Sequence, residues 1–447
     1  MKRATFLISA LALAPVLTGQ QYEAFEITTG TAYDVTNSGW VAGKEHDYWP
    51  YLWKESDGSI FYLQPLTPHL VYTFGTHVNE HGLATWGGVI RYNAKRNECW
   101  VYESSSGVLQ RLHGGVPGDI FSRGVGNNGE IIGSINRLPQ ETSTAAYWLD
   151  WTEPATLVPA AEAFYGINDK GEFVGKMAGP TPMKVRACLY RLSNHELIEL
   201  PFSGPYGSFA SAINNHGLIV GHSGSHAAVW TEDPPNSGSF QVQNLQHPTA
   251  LNSYGHDIND HGVIVGQMSL PGNELHAVIS YPGYAADENM LSVNSLLING
   301  ADFEFESALS INERGWISGT GRVHRPPWGW DKYQSIVAKP LLSLMPPIPG
   351  IAGAQNDLLI FGAEPGATIH LAYSLNGNGT TDLSPWCPGL ALDMANAQWA
   401  ASGSADANGA LHLFPTVPLA AAGLSVYMQL VDPLKCVKSN LVVHTFL

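Results

Sequence analysis

Charge is scarce in this 447-residue chain. Only 13% of its residues are Asp, Glu, Lys or Arg, about half the usual share for a soluble domain. Cations are scarcest, with 22 Lys and Arg against 38 acidic residues and a formal net charge of −16. That excludes the basic patches that nucleic acid and anionic membrane surfaces require. Cysteine is nearly absent too: there are four, and none precedes Cys99, so no lipid-bearing cysteine stands near the start. No apolar run reaches 18 residues, which excludes a membrane-spanning helix. Gly-x-Ser-x-Gly, His-Glu-x-x-His, phosphate-loop and Cys-x-x-Cys motifs are all missing, and with them the chemistries they announce. Disorder is excluded from the other side, because 13 Trp and an aromatic content of 10% are far above what disordered chains carry.

The chain opens with Met1-Lys2-Arg3 and an apolar stretch from Ala4 to Leu17, broken by Pro15 and followed by Thr18-Gly19-Gln20. A short positive segment, about 14 apolar residues and then small polar ones form the pattern of a cleaved signal peptide. Residues 1–20 are therefore expected to be removed at a site within 17–21. The mature protein is expected to be secreted, periplasmic or at the cell surface, with no insertion in a membrane.

Repetition organises the rest of the chain. An apolar anchor, an Asn-like residue, two variable residues and Gly, then an apolar run and usually a second Gly, recur seven times. The anchors are Val35, Val78, Val125, Ile167, Ile213, Ile258 and Ile311, at steps of 43, 47, 42, 46, 45 and 53 residues. Asn and Gly build tight turns between strands, so a segment such as Ala212–Gly221 predicts strand, turn, strand. A third strand ends in an aromatic in five repeats (Trp53, Tyr102, Trp148, Tyr190, Trp230), and a Leu-rich fourth follows in most. Four strands per roughly 45 residues is the pattern of a β-propeller blade. Three positions before each anchor the residue is small, Phe164 excepted, as expected where inner strands crowd an axis. The seventh repeat lacks a fourth strand, and Tyr22–Ile27 is expected to supply it and close the ring.

The Ile-Asn-x-x-Gly-x-Ile-Val-Gly element followed by Ala-x-x-Trp resembles the HAF repeat family of secreted bacterial proteins. The resemblance spans about residues 22–342 and is sharpest in repeats three to six. In repeat two Trp86 replaces the second Gly; Ser280 and Ala338 replace the aromatic in repeats six and seven. It implies an extracellular propeller-like repeat and no catalytic motif.

The expected architecture is all-β: a seven-bladed propeller over residues 21–343, a Pro-rich linker over 344–350 and a small β-sandwich over 351–447. Asp406-Ala407-Asn408-Gly409 marks a hairpin in the sandwich. Cys387 and Cys436 both lie there and are expected to pair, whereas Cys99 and Cys188 belong to blades two and four, which do not adjoin, and read as buried small hydrophobes.

Three groups of residues could carry function. Just before their anchors, Asp34, His77 and Asp257 would face the propeller channel, where they could bind a cation or act as acid and base. On loops of adjoining blades one and seven, Trp49, Trp328, Trp330 and Tyr333 suit stacking on sugar or docking a protein. Asn376, Asn378 and Asp382 faintly resemble a calcium loop, although one carboxylate is few for that ion, and an ordinary hairpin loop is the simpler reading; no cofactor or metal is otherwise expected. His81, His216 and His261 share one turn position and read as solvated, while His222 and His226 have no geometry that forces a shared metal. The expected function is non-enzymatic: an exported, monomeric scaffold whose partner is a glycan or an extracellular protein. The alternative is a glycan-active hydrolase or lyase with carboxylates at the channel.

Overall fold

The structure, a computed structural model, describes residues 16–18, 21–46, 49–63, 70–92, 94–137, 142–179, 185–204, 206–245, 247, 249–272, 274–281, 290–327 and 329–447. It is all-β and divides into two compact units. The first comprises Tyr22–Pro282 and Asn289–Pro340; the second holds Leu341–Leu447 and the described residues before Tyr22.

In the first unit each repeat is an antiparallel array of four strands, in sequence order in all but the seventh. Repeat five, for example, consists of Ser208–Ile213, Ile219–Ser223, His226–Glu232 and Phe240–Leu245. Five repeats form separate sheets. The other two share a sheet of seven strands, because one long strand, Tyr22–Val35, serves both. Its first half pairs with Gly329–Pro340, from Tyr22↔Pro340 to Thr29↔Gln334, and completes the last repeat. Its second half pairs with Trp40–Glu45 and opens the first repeat. Asn299 covers the outer edge of this strand, accepting from the Ala24 N–H at 3.0 Å and donating to the Ala24 carbonyl at 2.7 Å.

The second Gly of the motif has a steric cause. Every inner strand carries a β-bulge near its anchor, and in six repeats the second Gly pairs with the residue just before the extra one. A Cβ at Gly133, Gly175, Gly221, Gly266 or Gly319 would lie 1.9–2.0 Å from a main-chain carbonyl of the inner strand. Repeat two escapes this requirement. Its bulge sits one residue earlier, on Gly75 at φ +53°, so Trp86 can occupy the position and bury fully beside Trp100.

The small residues three before the anchors pack between neighbouring repeats. Ala32, Ala210 and Ala308 are fully buried. The apolar clusters show what they pack against: Ala210 lies with Val174, Ala187 and Leu189 of the preceding repeat, and Ala32 with Trp316 and Val337 of the seventh. Burial between sheets, with apolar residues from two neighbouring repeats in each cluster, accounts for the low charge content.

The second unit contains a six-stranded sheet and a three-stranded sheet that contribute to one apolar core. Leu344, Leu358, Ile360 and Leu413 enter it from one, and Ile369, Leu371, Met428, Leu430 and Val442 from the other. The segment expected as a free linker belongs to this unit. Leu344 and Met345 are buried, Ser343–Leu344 pairs with Ile360–Phe361, and the Ile348 N–H bonds to the Asp357 carbonyl. Apolar side chains beside its prolines give that stretch a core to join. Val16–Thr18, within the segment read as a leader, pairs with Leu441–Val443. Cys387 and Cys436 form a disulfide with Cα atoms 5.2 Å apart; Cys99 and Cys188 are free and buried.

Candidate functional site

The motif Asn does two jobs. In Asn79, Asn168, Asn214, Asn259 and Asn312 the side-chain oxygen accepts main-chain N–H groups of its own turn. The amide nitrogen donates to a carbonyl of the next turn: Gly126, Asn214, Asn259, Asn312 and Thr36 respectively. Only an amide supplies both, which explains Asn over Asp.

The next residue, treated as variable in the sequence, forms a closed circuit. The Asn37 N–H donates to Glu80 Oε1, Glu80 N–H to Asn127 Oδ1, and Asn127 Nδ2 to Asp169 Oδ1. Asp169 N–H donates to Asn215 Oδ1, Asn215 N–H to Asp260 Oδ1, Asp260 N–H to Glu313 Oε1, and Glu313 N–H to Asn37 Oδ1. Seven turns thus return to the first. The signal was legible: all seven residues are Asn, Asp or Glu, side chains that end in an acceptor oxygen.

Inside this circuit lies a cavity of about 370 Å³. Asp34, His77 and Asp257 all line it, with Tyr33, Arg123, Tyr165 and His256 from the bulges. The two aspartates meet at Ser310, whose hydroxyl lies 3.1 Å from Asp34 Oδ1 and 2.8 Å from Asp257 Oδ2. Main-chain N–H groups occupy the same carboxylates: Val35 and Val78 on Asp34, Ile258 and Ile311 on Asp257. Val78 and Ile311 are anchors of the following repeats, so these carboxylates tie repeat six to seven and one to two, and Ser310 ties seven to one. His77 Nδ1 stands 3.9 Å from Asp34 Oδ2.

Burial sets the proton affinities here. It raises the Asp34 carboxyl to about 7, helped by the nearby Asp257 charge, and raises Asp257 as well. Burial pushes Glu313 up to about 8, with Asp260, Asp257 and Glu80 adding repulsion. The imidazoles move the other way: burial lowers His77 to about 4, aided by Arg123, and His256 to about 4, aided by His222.

The aromatic loop residues lie elsewhere. Trp49, Trp330 and Tyr333 are 48, 40 and 71% exposed; Trp328 falls outside the described residues. Trp49 pairs with Glu45, Glu45 with Gly30, and Thr29 beside it with Gln334, next to Tyr333. Trp49 and Tyr333 thus belong to one seven-stranded sheet, with two strands between theirs. Arg325 between Glu26 and Asp331, and the Thr29–His46 pair, supply polar groups.

The remaining candidates separate. His81 and His216 are exposed, but His261 is half-buried 3.7 Å from Glu313 Oε2. His222 is packed between Phe209 and Tyr254. In the tail, Asp382 Oδ1 accepts from the Ser384 N–H and hydroxyl, and Asn376 N–H donates to Ser374. Among the described residues no three His, Cys, Asp or Glu are grouped to hold a metal. Two aromatics went unnoticed in the sequence: Trp386 and Trp399, 75 and 45% exposed on the second unit.

No family model and no curated protein matches the chain. Among solved structures it is similar to the β-propeller domain of Myceliophteria thermophila Cps50 (Swd1), at 8% identity and a TM-score of 0.47, covering 71% of this chain and 98% of that one. It is similar to a fungal alcohol oxidase of the AA5 family in complex with copper, at 11% identity and a TM-score of 0.44, covering 96% and 99%. YCF48 bound to D1 peptide gives 11% identity and 0.44, covering 73% and 99%. The chain is all-β, and its repeats fold as five four-stranded sheets and one sheet of seven strands.

Proposed function

We propose that the chain is an exported seven-bladed β-propeller of HAF-like repeats, followed by a β-sandwich, and that it works as a monomeric binding scaffold rather than an enzyme. Its ligand, a glycan or an extracellular protein, docks on the rim of blades one and seven. One observation carries this reading: the sheet shared by those blades holds Trp49, Trp330 and Tyr333 exposed within one row of strands. Aromatic rings lose little conformational freedom on contact and bring large area, which suits recognition. The segment Met1–Thr18 and the Cys387–Cys436 disulfide support export.

Hydrolysis by Asp34 and Asp257 is the second reading, favoured by a carboxyl near pH 7 facing another across Ser310. Four main-chain N–H groups already hold those carboxylates, which suits a latch better than an acid and base.

The test is a glycan and secretome-protein array probed with purified chain and with Trp49→Ala and Tyr333→Ala. A ligand bound by the wild type and lost at least tenfold by both variants supports the reading. Equal binding by the variants moves the site off this rim, and hydrolysis abolished by Asp34→Asn establishes the second reading instead.

A further inference from the structure

We propose that a cleft in the second unit, walled by His370, Trp386 and Trp399, binds a small quaternary ammonium cation. The cleft holds about 210 Å³, below the usual 300 Å³ or more of a drug-sized pocket, so its occupant is small. His370 and Trp399 have ring centroids 5.7 Å apart at 59°, and Trp386 and Trp399 have theirs 6.3 Å apart at 36°. The tilts keep the three rings that line the cleft from forming one flat platform. A ring face attracts a cation within roughly 6 Å of its centroid, and all three rings line the cleft. A sugar ring needs a flat face and hydrogen-bonding partners, and the lining of Leu383, Cys387, Val431 and Pro433 is otherwise apolar.

The two tryptophans are held in place although they are exposed. Trp386 immediately precedes disulfide-bonded Cys387, and both their N–H groups donate to the Leu383 carbonyl at 2.8 Å. Trp399 lies in a strand opposite Ala372. Fixing exposed aromatics beforehand lowers the entropy lost on binding.

Charge selects the occupant. No lysine or arginine lines the cleft. Residues 341–447 contain two such cations, Lys435 and Lys438, against six carboxylates. Both lysines are engaged, with Glu364 and Asp393 respectively. Asp382 and Asp432 adjoin the lining residues Leu383, Val431 and Pro433. With six carboxylates against two lysines over these residues, the net negative charge favours a cation over a neutral ligand of the same shape.

Saturation-transfer NMR on the full chain with tetramethylammonium tests the proposal, at constant ionic strength set with sodium chloride. Expected are a saturable signal, displacement by choline, and at least tenfold weaker binding in Trp386→Ala and Trp399→Ala, whose thermal midpoints should stay close to wild type because the rings are 75 and 45% exposed. The neutral isostere 3,3-dimethylbutanol should compete at least tenfold less well, a readout independent of any variant. Equal competition by that alcohol, displacement by methyl glucoside, or no saturable signal overturns the proposal. So does a chain that sediments with phosphatidylcholine vesicles while leaving free tetramethylammonium unbound.

Discussion

The main-chain N–H of Glu313 donates to Asn37 Oδ1 at 2.7 Å across 276 residues of sequence. Beside it Asn312 Nδ2 reaches the Thr36 carbonyl at 2.8 Å. These bonds return the seventh turn to the first.

Asn312→Ala removes that donor and also the acceptor for the Arg314 and Trp316 N–H groups. With Asn312 and Thr36 both buried, the expected cost is about 3 kcal/mol. Asn299→Ala, which uncovers one strand edge, should cost about 1–2 kcal/mol. Urea unfolding checks the order, and equal losses would show that the closing turn has no special weight.

Deletion of residues 21–28 strips the strand that completes the last repeat. Thermal unfolding of the whole repeat unit should fall sharply. An unchanged midpoint would refute closure by this strand.

Between pH 6.5 and 8 the chain should lose stability as pH rises. Asp34 and Glu313 have folded-state values of about 7 and about 8, above the ordinary values of about 3.9 and 4.3. The folded state therefore holds protons that the unfolded state has released, a contribution complete below about pH 4 and lost on passing through 7 to 8. His77 and His256, lowered to about 4, oppose this from about pH 4 to 6.5 and no higher. Asp34→Asn should flatten the upper limb in a melting-temperature series, and a limb that keeps its slope would remove Asp34 from the account.

Gly221→Ala puts a Cβ 2.0 Å from the Phe209 carbonyl and should cost at least about 3 kcal/mol, the upper end for overpacking. Gly217→Ala, at φ +82° with open space around it, should cost only about 1–2 kcal/mol. Denaturant midpoints of the two variants decide this.

Alkylation of native chain should label no cysteine. Cys99 and Cys188 are buried, and burial raises their thiols to about 11 and about 12, while Cys387 and Cys436 are bonded. Mass spectrometry should find two labels after denaturation and four after reduction as well.

The repeat and its strands were legible because Asn and Gly at fixed spacing have local causes. Tyr22–Ile27 could be assigned to the last repeat since its partner sheet lacked one strand. The circuit through Asn37, Glu80 and Glu313 was not read, because side chains that bridge neighbouring turns look like variable turn residues when each turn is taken alone. Asp34 and Asp257 line the cavity, yet their bonds to Val78 and Ile311 depend on which sheets adjoin. Segment 344–350 was misread as a linker since its prolines hid Leu344 and Met345, which are buried.

The strand Tyr22–Val35 belongs half to each end of the repeat array. During synthesis this strand is made well before the partner for its leading half, Gly329–Pro340, which follows some 300 residues later. Until then that edge of the nascent sheet stays unsatisfied and open to other chains.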